Sequence, residues 1–207
     1  MAKNDVWPII HAERQALAGD LASLSDQQWS VSSLCDEWTV RDVLAHLTAI
    51  AKTTPASFFP KLLGSRFSIT RMQRKDIATE RGTSPQDTLS RFREVTGVKH
   101  VGPMDALVVG ETIVHAEDIR RPLGIKHTYP NEAAVRVANF YKGWNLVVGT
   151  KRRIAGLTLR ATDTDWSHGF GPEIFGPIMS LIMAMFGRKA SLEDLDGDGL
   201  DTLRERP

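Results

Sequence analysis

The chain has 207 residues and a formal net charge of +1, with both signs spread along it. It has room for one sizeable core or two unequal domains, and its overall charge makes no case for nucleic acid or an acidic surface as partner. The single cysteine, Cys35, excludes an internal disulfide and any zinc site built from several thiolates; with a polar start, Met1-Ala2-Lys3-Asn4-Asp5, that lacks a signal-peptide core, it points to a reducing cytoplasm.

Val6, Ile10, Leu17, Leu21 and Leu24 predict a first helix over about Asp5–Leu24, ended by the polar turn Ser25-Asp26-Gln27-Gln28. Thr39-Val40-Arg41-Asp42 is a helix start, with Thr39 as N-cap and an acid at the third helical position. Val43, Leu47 and Ile50 carry this second helix to about Lys52, after which Pro55 and Pro60 force a break, a kink or a new start. Ser84-Pro85 supplies the N-cap and first turn of a third helix reaching about Thr96, and a fourth runs from Pro103 to Arg120, stopped by Pro122 and Gly124. The stretch between the second and third suggests a crossover connection in a four-helix bundle, whose facing helices can point ligands inward at one level.

After a further helix, Asn131 to about Val148, the period changes. Leu157, Leu159 and Ala161 alternate with Thr158, Arg160 and Thr162, which predicts a half-buried strand; Asp165–His168 is its candidate hairpin partner and Gly176–Gly187 a helix on the sheet. That helix holds the apolar run Ile178–Phe186, nine residues against the ~20 needed to cross a bilayer, so no membrane segment is expected. Its methionines fit core packing better than an adaptable pocket lining. The expected fold class is α+β, predominantly α. A helical bundle spans residues 1–149 and a small α/β domain residues 150–207, with Lys151-Arg152-Arg153 as an exposed basic connector.

Glu111 and His115 are four apart in the mostly apolar run Met104–Ile119, so one helical face presents both a carboxylate and an imidazole. Buried groups of this kind are costly unless hydrogen-bonded, paired or bound to metal, and the pair alone leaves those readings open. His46 sits beside the apolar stripe of the second helix, where it is either a core histidine or a third ligand. Two His and one Glu form the three-ligand set of a catalytic zinc site, which keeps one position for water or substrate.

Leu34-Cys35-Asp36-Glu37-Trp38-Thr39-Val40-Arg41-Asp42-Val43-Leu44-Ala45-His46-Leu47, followed downstream by Glu111-x-x-x-His115-Ala116-Glu117-Asp118-Ile119-Arg120-Arg121-Pro122-Leu123-Gly124, resembles the mycothiol-dependent maleylpyruvate isomerase family, within the DinB-like group of metal-binding helical bundles. The resemblance implies a metal triad of His46, Glu111 and His115, binding zinc foremost and nickel as the alternative. It implies mycothiol as a thiol cosubstrate held as a metal-bound thiolate, and isomerisation or conjugation of a small electrophile. Gly156–Asp163, Asp165-Trp166-Ser167 and Gly171-Pro172-Glu173 resemble the family's short C-terminal domain, a reduced sterol-carrier-protein-like unit. The segment from about Thr53 to Gly102 matches by helical character only. Two other readings share the bundle: a non-catalytic metal- or ligand-binding protein, and a metal hydrolase that needs no thiol.

Asp118, one turn beyond His115, is a candidate to orient it from the second shell or to fix Arg120 and Arg121. Cys35 reads as a small residue packed at a helix entrance rather than a nucleophile or exchange thiol. Arg160 and His168 are candidate substrate contacts or ordinary sheet residues, and His11, His100 and His127 carry no partner pattern. Asp194, Asp196, Asp198, Gly199 and Glu205 have calcium-loop spacing, but Asp201 stands where an apolar residue packs and no exit helix follows, so they read as an acidic turn.

Overall fold

The computed structural model describes residues 5–99, 105–145 and 148–206. The helix α3 (Val40–Lys52) centres the first unit, and its start is fixed locally. Thr39 accepts from the Asp42 backbone while the Asp42 side chain accepts from Thr39, a reciprocal capping box that satisfies donors a helix start leaves open. Ten of its thirteen residues are buried, because it packs on three neighbours, α5 (Ile69–Glu80), α6 (Pro85–Val95) and α7 (Asp105–Arg120). The first helix, α1 (Trp7–Asp20), lies against α7 and α6.

The ends of these helices follow the sequence closely. The third predicted helix is α6, capped by Ser84 with Pro85 in its first turn, and the fourth is α7, for which residues 103–104 lie outside the described residues. The polar turn after α1 holds one turn of helix instead, α2 (Asp26–Trp29), because Ser25 and Gln28 form a second capping box. The prolines after α3 make a new start: Thr54 caps α4 (Pro55–Gly64), which takes Pro55 in its first turn and Pro60 inside. With α5, α4 fills the connection read from sequence as a crossover.

Contacts divide the chain into two compact units, Met1–His127 and Thr128–Pro207. The hydrophobicity pattern changes later, near Gly149, because α8 (Asn131–Tyr141) is a helix like those before it yet packs on α10 (Ile178–Met185) of the second unit. Residues 146–147, in the expected continuation of α8, lie outside the described residues. The connector Lys151-Arg152-Arg153 belongs to a four-residue helix, α9 (Thr150–Arg153). Arg153 is not free there: its guanidinium donates to the carbonyls of Val148 (3.1 Å) and Met185 (2.6 Å).

The second unit carries a three-stranded sheet in the order β2-β1-β3. Leu159 and Ala161 point inward from β1 (Thr158–Ala161), which pairs antiparallel with β2 (Ser167–Gly169) and parallel with β3 (Glu173–Gly176). The close approach of β2 to Leu157 needs Gly169, whose φ is 95° and whose added Cβ would lie 2.1 Å from the Leu157 carbonyl oxygen. The methionine-rich run forms α10, buried along most of its length against β1 and β3. A 3-10 turn (Lys189–Asp194) and α11 (Leu200–Arg204) close the unit. The acidic tail is used structurally: Asp194 accepts from the Ser180 hydroxyl at 2.6 Å, and Asp196 bridges Phe175 through the backbone. No helix among the described residues is long and apolar enough to cross a membrane.

Candidate metal centre

Helix α3 carries His46 and helix α7 carries Glu111 and His115, and the packing of these two helices brings the three side chains together. One ligand atom from each lies within 4.8 Å of the other two. Glu111 Oε2 is the meeting point, 3.2 Å from His115 Nε2 and 3.7 Å from His46 Nε2. The two imidazoles stand edge to face, 5.0 Å between centroids.

His46 is 4 % exposed, and neither of its ring nitrogens has a hydrogen-bond partner. A buried polar atom in that state costs free energy, so an orphaned imidazole facing a carboxylate suits a cation between them. Burial pushes the His46 imidazole below its ordinary pKa, with Glu111 opposing, which keeps it in the neutral form that ligates metal.

His115 is held from behind. Its Nδ1 lies 3.0 Å from Asp118 Oδ2, and Asp118 is wholly buried. A carboxylate there keeps the hydrogen on Nδ1 and turns Nε2 toward Glu111, the arrangement by which an acid behind the ring orients a ligating histidine. Arg120 and Arg121, the other partners considered for Asp118, meet Asp20 (2.8 Å) and Glu117 (3.1 Å). Burial acts to lower the His115 pKa, but the Cys35 sulfur, Asp118 and Glu111 together raise it well above the ordinary value. For Glu111, burial acts upward and is outweighed by the two imidazoles, which hold the carboxyl well below the usual carboxylate range. The cluster thus accommodates one positive charge, a proton or a metal ion in its place.

Cys35 is buried as expected, and its environment is more polar than simple packing. Its Sγ donates to Asp118 Oδ2 at 3.2 Å and lies 3.6 Å from His115 Nδ1. Cys35, His115 and Asp118 are a second group with ligand-like spacing. Their polar atoms already satisfy one another by hydrogen bonds, whereas the His46 nitrogens do not, so the His46–Glu111–His115 face is the better cation site. Trp38 was not singled out by sequence reasoning as part of the site. Its ring centroid is 4.8 Å from His46 and 6.2 Å from His115. Its position immediately before the Thr39 cap, where an apolar residue fixes the entry of the chain, was the available signal.

The remaining candidates have other partners. Arg160 is committed to Glu173 (2.8 and 3.0 Å) and lies over the Phe175 ring, and His168 pairs with Leu159 across the sheet. His127 has a partner that its sequence context did not suggest, Glu13 at 2.8 Å, while His11 stacks near Trp7. His100 lies outside the described residues.

Residues 10–98, from α1 through α6, match the family model described as the mycothiol maleylpyruvate isomerase N-terminal domain. That segment of the chain is thus similar to the N-terminal domain of the mycothiol maleylpyruvate isomerases. Two solved structures share its fold. A crystal structure of the mycothiol-dependent maleylpyruvate isomerase aligns with a TM-score of 0.66 at 14% identity, covering 97% of this chain and 93% of that one. A histidine-to-alanine mutant of the mycothiol-dependent maleylpyruvate isomerase aligns with a TM-score of 0.64 at 13% identity and the same coverage. No curated protein matches the chain. The family segment contains His46 but ends before Glu111 and His115, so the case for the complete triad rests on the geometry above.

Proposed function

We propose that the chain is a metal-dependent enzyme that uses the low-molecular-weight thiol mycothiol to isomerise or conjugate a small electrophilic substrate. The observation that carries this reading is the convergence of His46, Glu111 and His115 in a chain whose residues 10–98 match the mycothiol maleylpyruvate isomerase N-terminal domain. The residues fit a divalent cation. Two imidazole nitrogens and one carboxylate oxygen suit zinc first and nickel second, and the buried His46 ring lacks any other partner.

Bound by these three residues, the cation supplies Lewis acidity that favours the thiolate form of a thiol at neutral pH. The chain's own contribution is placement. Asp118 fixes the His115 ring with Nε2 forward, burial keeps His46 neutral, and the Trp38 ring packs beside both imidazoles. Addition of a thiolate sulfur to an electrophilic double bond moves the π electron pair onto the electron-withdrawing group and leaves a single bond that rotates; return of that pair expels the same thiolate and restores the double bond as the other isomer, whereas uptake of a solvent proton at the neighbouring carbon retains sulfur as the conjugate.

The metal-binding role needs only residues before Gly149, in a DinB-like four-helix arrangement. The sheet after it is read as a reduced sterol-carrier-protein-like unit, supported by β2-β1-β3 with α10 packed on it. A cytoplasmic location fits the lone, buried Cys35.

The test is tag-free protein, assayed for metal by elemental analysis and then with mycothiol and a panel of electrophiles that includes maleylpyruvate. Consumption that needs both metal and thiol, and is lost in His115→Ala, supports the proposal. Turnover without thiol would assign a metal hydrolase, and stoichiometric retention without turnover a binding protein; either overturns it.

A further inference from the structure

The overall charge hides a local run. From Val43 to Lys75 the chain has no Asp or Glu, but it has Lys52, Lys61, Arg66, Arg71, Arg74 and Lys75. The run builds α4, the turn after it and the start of α5, and this is also where the first unit leaves apolar surface uncovered. No residue of α4 is buried, although Phe58, Phe59, Leu62 and Leu63 lie within it. Phe59 is 71% exposed, Leu63 64% and Phe67 72%. Phe59 and Leu63 are one helical turn apart and share a face. Phe67 follows a turn in which Arg66 and Phe67 both take positive φ, 52° and 58°, a conformation that β-carbon-bearing residues adopt only where something holds them. The Phe67 amide closes the turn on the Leu62 carbonyl at 2.9 Å.

The cations of this run are only partly neutralised. Lys61 pairs with Asp76, Arg74 with Glu37 and Lys52 with Glu80. Lys75 reaches only the Gly64 carbonyl, tying α5 to the end of α4, and Arg66 and Arg71 are exposed with no carboxylate partner among the described residues. Exposed apolar side chains flanked by two arginines without a carboxylate partner, in a segment with a surplus of cations, have the composition of elements that lie in the interface of an anionic bilayer. Side chains this exposed project from the surface and do not line a groove, which suits insertion into a fluid phase better than capture of a peptide. A second copy of the chain would bring the same cations against one another.

We infer that the α4–α5 tip, through Phe59, Leu63 and Phe67 with Arg66 and Arg71 beside them, docks the first unit onto an anionic lipid surface without spanning it. The inference is independent of the metal site, since none of these residues belongs to it.

The test is co-sedimentation of the full chain with vesicles of phosphatidylglycerol and phosphatidylcholine in equal parts, against vesicles of phosphatidylcholine alone. Binding to the anionic vesicles is expected, weakening with salt, and falling roughly tenfold or more in Phe59→Ser/Leu63→Ser/Phe67→Ser. Arg66→Glu/Arg71→Glu should lose at least about fivefold per arginine. All five positions are exposed, so unchanged thermal melts are expected and separate lost docking from lost folding. Absence of binding to the anionic vesicles overturns the proposal. So does binding that both variants retain. A wild-type dimer that the apolar variant converts to monomer, without vesicle binding, assigns the surface to a second copy and overturns it too.

Discussion

Asp118 Oδ2 lies 3.0 Å from His115 Nδ1, on the side of the ring opposite the Nε2 that faces Glu111 at 3.2 Å. Asp118 is three residues beyond His115 on the same helix and is fully buried, so it would act on a cation at Nε2 through the His115 ring. Asp118→Asn keeps the shape and removes the charge. Zinc affinity is expected to fall about 10- to 100-fold, the usual consequence of losing a carboxylate behind a ligating histidine. Competition with a chelating dye would measure it, and unchanged affinity would remove Asp118 from the site.

His46 tests whether the third ligand is real. At zinc ~100-fold above its Kd, the wild-type protein should gain roughly 2.7 kcal/mol of stability, because only the folded state presents the assembled site. His46→Ala should gain almost none and carry no zinc after dialysis, while keeping its helical circular dichroism. Retention of one equivalent by the variant would leave Glu111 and His115 with some other partner.

What could be read from sequence was what is local. The Thr39–Asp42 cap, the i,i+4 spacing of Glu111 and His115 and the alternation of β1 each depend on a few neighbouring residues, and each reappears in the structure. Their meeting with His46 depends on the rotation and register of α3 against α7, which periodicity along either helix does not specify. The Cys35–Asp118 contact spans 83 residues, and nothing beside Cys35 announces it. Strand β3 was missed for a similar reason: its parallel partner β1 is reached only across β2, with no tight turn to mark the pairing. Pro60 hid α4, since proline inside a helix is ordinarily disruptive, yet Thr54 and Pro55 made a good start just before it.

The metal-free cluster should make stability depend on pH in opposing ways. His115 has a folded pKa raised above 6.5, so its contribution is fully present below that value and lost as pH rises through the folded one. Glu111 has a folded pKa depressed below 4.5, so its contribution is present above that value and lost as pH falls through the folded one. Between 4.5 and 6.5 both contribute. His46 works against them on the acid side, because the unfolded chain takes up a proton below 6.5 that the buried ring resists. Thermal melts in chelator, from about pH 5 to about pH 9, should show the advantage of wild type over His115→Gln shrinking as pH rises. An advantage that grows toward alkaline pH would contradict the raised His115 value. With zinc present the trend should reverse, since the ion displaces the His115 proton and binds more tightly as pH rises.

Behind the site, Arg120 ends α7 in a fully buried position, 2.8 Å from Asp20 and 3.7 Å from Glu13. Glu13 is itself only 5 % exposed and also meets His127 at 2.8 Å. Asp20 and Glu13 both lie on α1, so the arginine joins the two helices at the end of α7, beyond His115. Removing one member of a fully buried ion pair costs about 3–5 kcal/mol, an upper bound here because Glu13 keeps His127 and Asp20 is part-exposed. Arg120→Ala should lose stability on that scale by denaturant unfolding, whereas Arg121→Ala, whose partner Glu117 lies on the same helix at 3.1 Å, should lose no more than about 1 kcal/mol. Because the lesion sits at the α1–α7 contact and not among the ligands, the protein that remains folded should bind zinc with near wild-type affinity. A variant that stays stable but loses metal would instead make Arg120 part of the mechanism that sets the Glu111–His115 geometry.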